Sequence, residues 1–101
     1  MNQHIFNKIQ TLKRQILPNE KVILFGSQAR GDAREDSDWD LLVLLNKGKR
    51  NFIEDSNKYA YPFTEIELKY GKMVMVYTTK EWESHPSILK YNVEREGIEI
   101  I

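Results

Sequence analysis

The feature that most constrains the fold is Trp39–Leu45, WDLLVLL, a run that is apolar at every position but one. A strand half exposed to water alternates polar and apolar residues, whereas a nearly continuous apolar run is the pattern of a strand central in its sheet. Asp40 breaks that run. Burying an unpaired carboxylate is expensive, so its presence needs a reason other than packing. Asp38 lies two positions earlier, and alternate residues on a strand point to one side, so both carboxylates face a single spot. Two carboxylates that close repel each other unless a cation lies between them or one stays protonated. Hard oxygen ligands suit magnesium, which takes one or two carboxylates and completes its shell with water and substrate phosphates.

Upstream, Lys21–Phe25 (KVILF) is a short apolar and β-branched run that stops at Gly26, the pattern of a buried strand entering a tight turn. Glycine lets a backbone approach a ligand closely, and a helix that begins there would present unpaired N–H groups to a phosphate. Ser27 adds a hydroxyl donor at the same point. Arg30, between this turn and the two aspartates, could pair with phosphate oxygens or with Asp38 or Asp40.

The remaining elements read in order. Ile5, Ile9, Leu12, Ile16 and Leu17 recur at spacings of three and four, which makes residues 2–17 an amphipathic helix ended by Pro18-Asn19. A short helix is expected from Ser27 to about Ala33, and a solvated loop over Gly31–Ser37. Residues 50–61 form a further helix, stopped before Pro62. Thr64–Tyr70 alternates as a half-buried strand and, with Gly71-Lys72 as the turn, pairs in a hairpin with Met73–Thr78. A helix follows with Thr79 as N-cap, then another over Pro86–Arg95, and Gly97 releases an extended segment, Ile98–Ile101. The sum is one α/β (α+β) domain over residues 1–101, a small mixed β-sheet with helices packed on it.

The string GSQARGDAREDSDWDLLV, with Gly26-Ser27, a ten-residue gap and then Asp38-Trp39-Asp40, resembles the signature of the DNA-polymerase-β-like nucleotidyltransferase superfamily. It is most similar to the minimal, stand-alone prokaryotic branch. The resemblance implies a palm-like fold in which the Gly-Ser pair grips a nucleoside triphosphate, ATP or another, and two aspartates hold one or two magnesium ions. A nucleoside monophosphate then passes to a hydroxyl acceptor and pyrophosphate leaves. Carried over, Gly26, Ser27 and Arg30 are the nucleotide-binding candidates, and Asp38 and Asp40 are both metal ligands and catalytic residues. The family also supplies a third carboxylate from a later strand. Met73–Thr78 resembles that strand yet contains no acid, so the role falls to Glu67, preferred, to Glu65, or to no residue. Members of this branch occur beside small helical proteins of the HEPN class as toxin–antitoxin pairs, the nucleotidyltransferase acting as antitoxin by adding AMP to a tyrosine. The expected partner is therefore a HEPN-type protein, and an oligomer is left open. The second reading is a catalytically weak or inactive module that binds nucleotide or a partner.

Bulk composition narrows the field further. Lys+Arg and Asp+Glu both number 15, and this zero formal net charge argues against nucleic acid as a partner. Cysteine is absent, so neither disulfides nor thiolate metal sites contribute. His4 and His85 are far apart, which disfavours a histidine-built zinc site. No long apolar run suggests a signal peptide or a membrane span, and the expected location is the cytoplasm.

Overall fold

The computed structural model describes residues 2–34, 37–49, 51–60, 63 and 72–101. Helix α1 spans Gln3–Ile16 and buries Ile5 and Ile9 on one face. Its N-cap is Asn2, whose side-chain oxygen accepts from the His4 and Ile5 amides at 3.0 and 3.3 Å. The chain turns at Leu17, which is fully buried.

Strands β1 (Lys21–Phe25), β2 (Trp39–Leu45), β3 (Lys72–Thr78) and β4 (Ile98–Ile100) form one sheet in the order β3-β2-β1-β4. β1 runs antiparallel to both β2 and β4, while β2 and β3 are parallel. A parallel pair needs a crossover rather than a tight turn, and α3 (Phe52–Asp55), continuing as a π-helical turn over Ser56–Ala60, lies within that connection. The neighbours of β2 over its length are β1 and β3, the latter being the second arm of the expected hairpin. The proposed first arm, Thr64–Tyr70, lies outside the described residues.

The two-residue period of β2 separates two apolar layers. Trp39, Leu41, Val43 and Leu45 join Val22 and Leu24 of β1, Ile5 and Ile9 of α1, and Tyr59 and Phe63. Leu42 and Leu44 turn to the opposite face with Phe25, Trp82 and Val93. Trp39, 1% exposed, is thus a core residue, as its apolar setting leads one to expect.

Helices α4 (Thr79–Ser84) and α5 (Ile88–Glu96) cover the second face. The N-cap of α4 is Thr78, not Thr79. Thr78 Oγ1 accepts from the Glu81 amide at 3.1 Å, and the Glu81 carboxylate accepts from the Thr78 amide at 3.0 Å. Helix α5 begins two residues later than expected, because Pro86 precedes Ser87 and Ser87 caps it through the Lys90 amide at 3.0 Å. The short helix after Gly26, α2, covers only Ser27–Arg30, since Gly31 adopts a left-handed conformation with φ 87° and closes it.

Lys47 lies in the exposed bend that follows β2. Its ammonium pairs with Asp55, which is 2% exposed and also accepts from the Asn51 amide at 2.8 Å. The hydrogen bond to Asp55 raises the pKa of Lys47. Among the described residues no helix is long and apolar enough to cross a membrane.

Removing the Thr78 hydroxyl should break the reciprocal cap that joins β3 to α4. Thr78→Ala is expected to lower unfolding free energy by about 1 kcal/mol, read from urea denaturation with an unchanged m-value.

Candidate active site

Gly26 stands where β1 ends and α2 begins, with φ 76° and ψ −158°, a conformation that L side chains rarely adopt. The register sets Phe25 opposite Asp40, so the turn lies against the start of β2. A Cβ placed on Gly26 would lie 2.2 Å from Asp40 Oδ2. Backbone geometry and space both demand glycine here. The Gly26 carbonyl accepts from the Ala29 and Arg30 amides at 3.1 and 3.0 Å, which fixes the first turn of α2. The amides of Ser27 and Gln28 are first-turn donors with no helical carbonyl preceding them.

Asp40 lies on the same face of β2 as Leu42 and Leu44 and is half-buried, while Asp38, before the strand, is exposed. Burial pushes the Asp40 carboxyl pKa up, and the charge of Asp38 pushes it further; Arg30 acts in the opposite sense. Asp38 and Asp40 are therefore close enough to repel, as their spacing implies.

Arg30 is held by two carboxylates, Asp32 and Glu96 of α5, each at 3.3 Å. Those hydrogen bonds, Glu96 first, raise its pKa. Glu96 also meets Arg95 at 2.9 Å. Of the partners that the sequence offered for Arg30, neither aspartate of the pair bonds it directly, although its charge reaches Asp40.

One contributor lies inside the GSQARGDAREDSDWDLLV string without an assigned role there. Gln28 is 4% exposed, and its Nε2 donates to the Ser37 carbonyl at 3.2 Å. Ser37 in turn accepts the Arg34 amide on Oγ at 2.7 Å and donates its own amide to the Arg34 carbonyl at 3.1 Å. The signal that could have found it is a polar residue one position past the Gly-Ser pair, on a helix so short that its buried side must face β2.

A divalent cation suits this donor set. The half-buried Asp40 carboxylate, destabilised beside Asp38, would be relieved by positive charge, and magnesium needs no more than one or two protein carboxylates. Among the described residues no group of three or more His, Asp or Glu side chains gathers at metal-binding distance. The β2–β3 register places Met73 opposite Asp40 and Met75 opposite Leu42, so the strand beside the aspartates brings no acid. Glu65 and Glu67 lie outside the described residues.

A family model described as "Nucleotidyltransferase domain" matches residues 7–97. The chain belongs to this family. It is 32% identical over 99 residues to a Methanocaldococcus jannaschii protein provisionally named a protein adenylyltransferase, covering 92% of this chain and 98% of that one. A second protein from the same organism, with the same provisional name, is 41% identical over 49 residues; the match covers 44% of this chain and only half, 50%, of that relative. Among solved structures, the chain is similar to a toxin–antitoxin with AMP-PNP (TM-score 0.66, 22% identity, 100% of this chain and 73% of that one). It is also similar to a complex of tri-AMPylated Shewanella oneidensis HEPN toxin with MNT antitoxin (TM-score 0.62, 22% identity, 100% and 72%). At that identity the structures show a shared fold. The mixed sheet with helices on both faces is the nucleotidyltransferase fold, and the likeness to minimal nucleotidyltransferases read from residues 26–43 holds.

Two measurements follow for this nucleotidyltransferase domain. Gly26→Ala meets both the positive φ and the Asp40 carboxylate, whereas Gly31→Ala meets only a positive φ, with no atom within 4 Å of its new Cβ. Gly31→Ala should cost about 1–2 kcal/mol, and Gly26→Ala clearly more, in parallel urea titrations. The second concerns pH. The folded-state pKa of Asp40 is raised above its ordinary 3.8, so the native state binds a proton more tightly than the unfolded chain does. Stability from this group is then lost as pH rises from 3.8 through the raised value. In metal-free buffer, Asp40→Asn should melt at a higher temperature than wild type near pH 7, with the gap closing as pH falls toward 3.8.

Proposed function

We propose that this chain transfers AMP from ATP to a hydroxyl on a protein acceptor, with magnesium held by Asp38 and Asp40 and the triphosphate by the Gly26-Ser27 turn. The observation that carries the reading is the packing of the Asp40 carboxylate into the space a Gly26 side chain would fill, which joins a phosphate-type turn to a carboxylate pair. Adenylyl transfer to protein is supported by the names of the Methanocaldococcus jannaschii relatives and by the AMPylated toxin in the similar complex.

In this scheme the Gly26 backbone admits phosphate oxygens close to the chain, and the Ser27 hydroxyl and first-turn amides donate to them. Arg30 leaves Asp32 or Glu96 to pair with phosphate, an exchange that surface ion pairs permit at small cost. Asp38 and Asp40 stay ionised once a cation offsets their repulsion. Magnesium held by Asp38 and Asp40 would supply charge neutralisation during the transfer. The acceptor oxygen bonds to the α-phosphorus, the bond from that phosphorus to the bridging oxygen breaks, pyrophosphate departs, and the hydroxyl proton passes to solvent. Glu67, or Glu65, would complete the carboxylate set. The working unit is a single domain over residues 1–101, cytoplasmic, acting on a HEPN-type helical partner.

The second reading, a nucleotide-binding or partner-binding module with weak turnover, is favoured by one observation: β3 offers no acid beside Asp40. Calorimetric titration of AMP-PNP with and without magnesium tests the site. Wild type should bind in a magnesium-dependent way, and Asp38→Asn/Asp40→Asn should weaken that binding at least about 100-fold, which is about 2.7 kcal/mol. Equal binding by the double variant would sink the metal–nucleotide assignment. Intact-mass analysis of a co-expressed helical partner then separates the two readings: an AMP adduct with wild type alone means catalysis, and no adduct alongside tight nucleotide binding means a module.

A further inference from the structure

We propose that Gln28 is a positioning residue for the carboxylate pair, tying the strand entry at Ser37-Asp38 to the helix that begins at Ser27. The inference rests on the nucleotide-site reading above and deepens it by naming what holds Asp38 in place.

Asp40 needs no special device: it is inside β2, paired opposite Phe25 and Met73, and packed against Gly26. Asp38 has none of this. It precedes β2, is exposed, and is reached from α2 through a loop that begins at the left-handed Gly31. A carboxylate so placed would sample many directions unless the preceding residue were fixed. Gln28 does the fixing. Its amide is buried, and it donates to the carbonyl of Ser37, nine residues on and next to Asp38. A buried amide that lost this acceptor would leave a polar group unsatisfied, so the bond is costly to break. Two hydrogen bonds between Arg34 and Ser37 extend the restraint to Arg34. Gly26 and Gln28 are two residues apart on one short helix entry, so one element sets both aspartates: Asp40 by contact, Asp38 by tether.

The test compares Gln28→Met, which keeps the length and removes the donor, with Gln28→Glu, which puts an acceptor against the Ser37 carbonyl. Amide hydrogen exchange, measured without nucleotide, should quicken about fivefold to tenfold at Arg34 and Ser37 in both variants, the loss expected for one hydrogen bond, while β2 amides such as Leu42 keep wild-type protection. Magnesium-dependent affinity for AMP-PNP should fall about tenfold, and magnesium-free affinity should stay unchanged. Uniform acceleration of exchange, including β2, would show that Gln28 is only a packing residue and would overturn the proposal. Local acceleration with wild-type magnesium dependence would overturn it too, because the loop would then be held without consequence for Asp38. The Asp38→Asn/Asp40→Asn variant distinguishes the underlying reading: if it binds magnesium and nucleotide like wild type, the nucleotide site itself is misassigned, and the positioning role falls with it.

Discussion

Because β2 carries apolar side chains on both faces, it must be covered twice, and the architecture follows from that requirement. α1, with Tyr59 and Phe63, closes one face; α4 and α5 close the other. Each fully buried Leu or Val contributes on the order of 1.5–3 kcal/mol, so the strand that is costliest to expose fixes the middle of the sheet. A charge can be accommodated in such a strand only near its end, where the two layers thin and water reaches the backbone. Asp40, second residue of β2, occupies that margin, and the residue across the turn from it has no side chain at all.

This arrangement sets stability against chemistry. Asp40 is held where its charged form is disfavoured by burial and by Asp38, and the fold compensates elsewhere. Local rules of sequence–structure agreement are broken at one place, which is the place where a functional site is expected. By contrast, the buried Asp55 is fully supported, with Lys47 and the Asn51 amide satisfying both oxygens. The fully buried Asp55 is thus answered by the protein, whereas the half-buried Asp40 faces a second carboxylate.

Much of this was legible in the chain. The 3.6-residue period located α1, short apolar runs located β1, β2 and β3, and the conflict between Asp40 and its apolar neighbours marked the candidate site. What could not be read was anything that depends on pairing across the chain. WDLLVLL says that β2 is central but not which strands flank it, so its parallel partnership with β3 was not legible. Thr79 and Thr78 are both competent caps; the reciprocal bond with Glu81, set by where β3 stops, decides between them. The ion pair of Lys47 with Asp55 was not legible, because Asp55 is eight residues away on a helix whose facing side the sequence leaves ambiguous. Gln28 lies inside the motif string without a role of its own there, and its burial and its bond to the Ser37 carbonyl are tertiary facts.

The sheet order has a consequence for how the protein acquires its structure. The groups around the two aspartates are neighbours in sequence, from Gly26 to Asp40, and their pairing across β1 and β2 closes a short loop. The outer edge of β1, however, is completed by β4, with Val22 opposite Ile100, a contact between distant parts of the chain. Non-local pairings of this kind are slow to form, since the loop entropy is lost before the contact rewards it. The local pairing of β1 with β2 that carries the carboxylates can therefore assemble before β4, three residues long, docks on its outer edge.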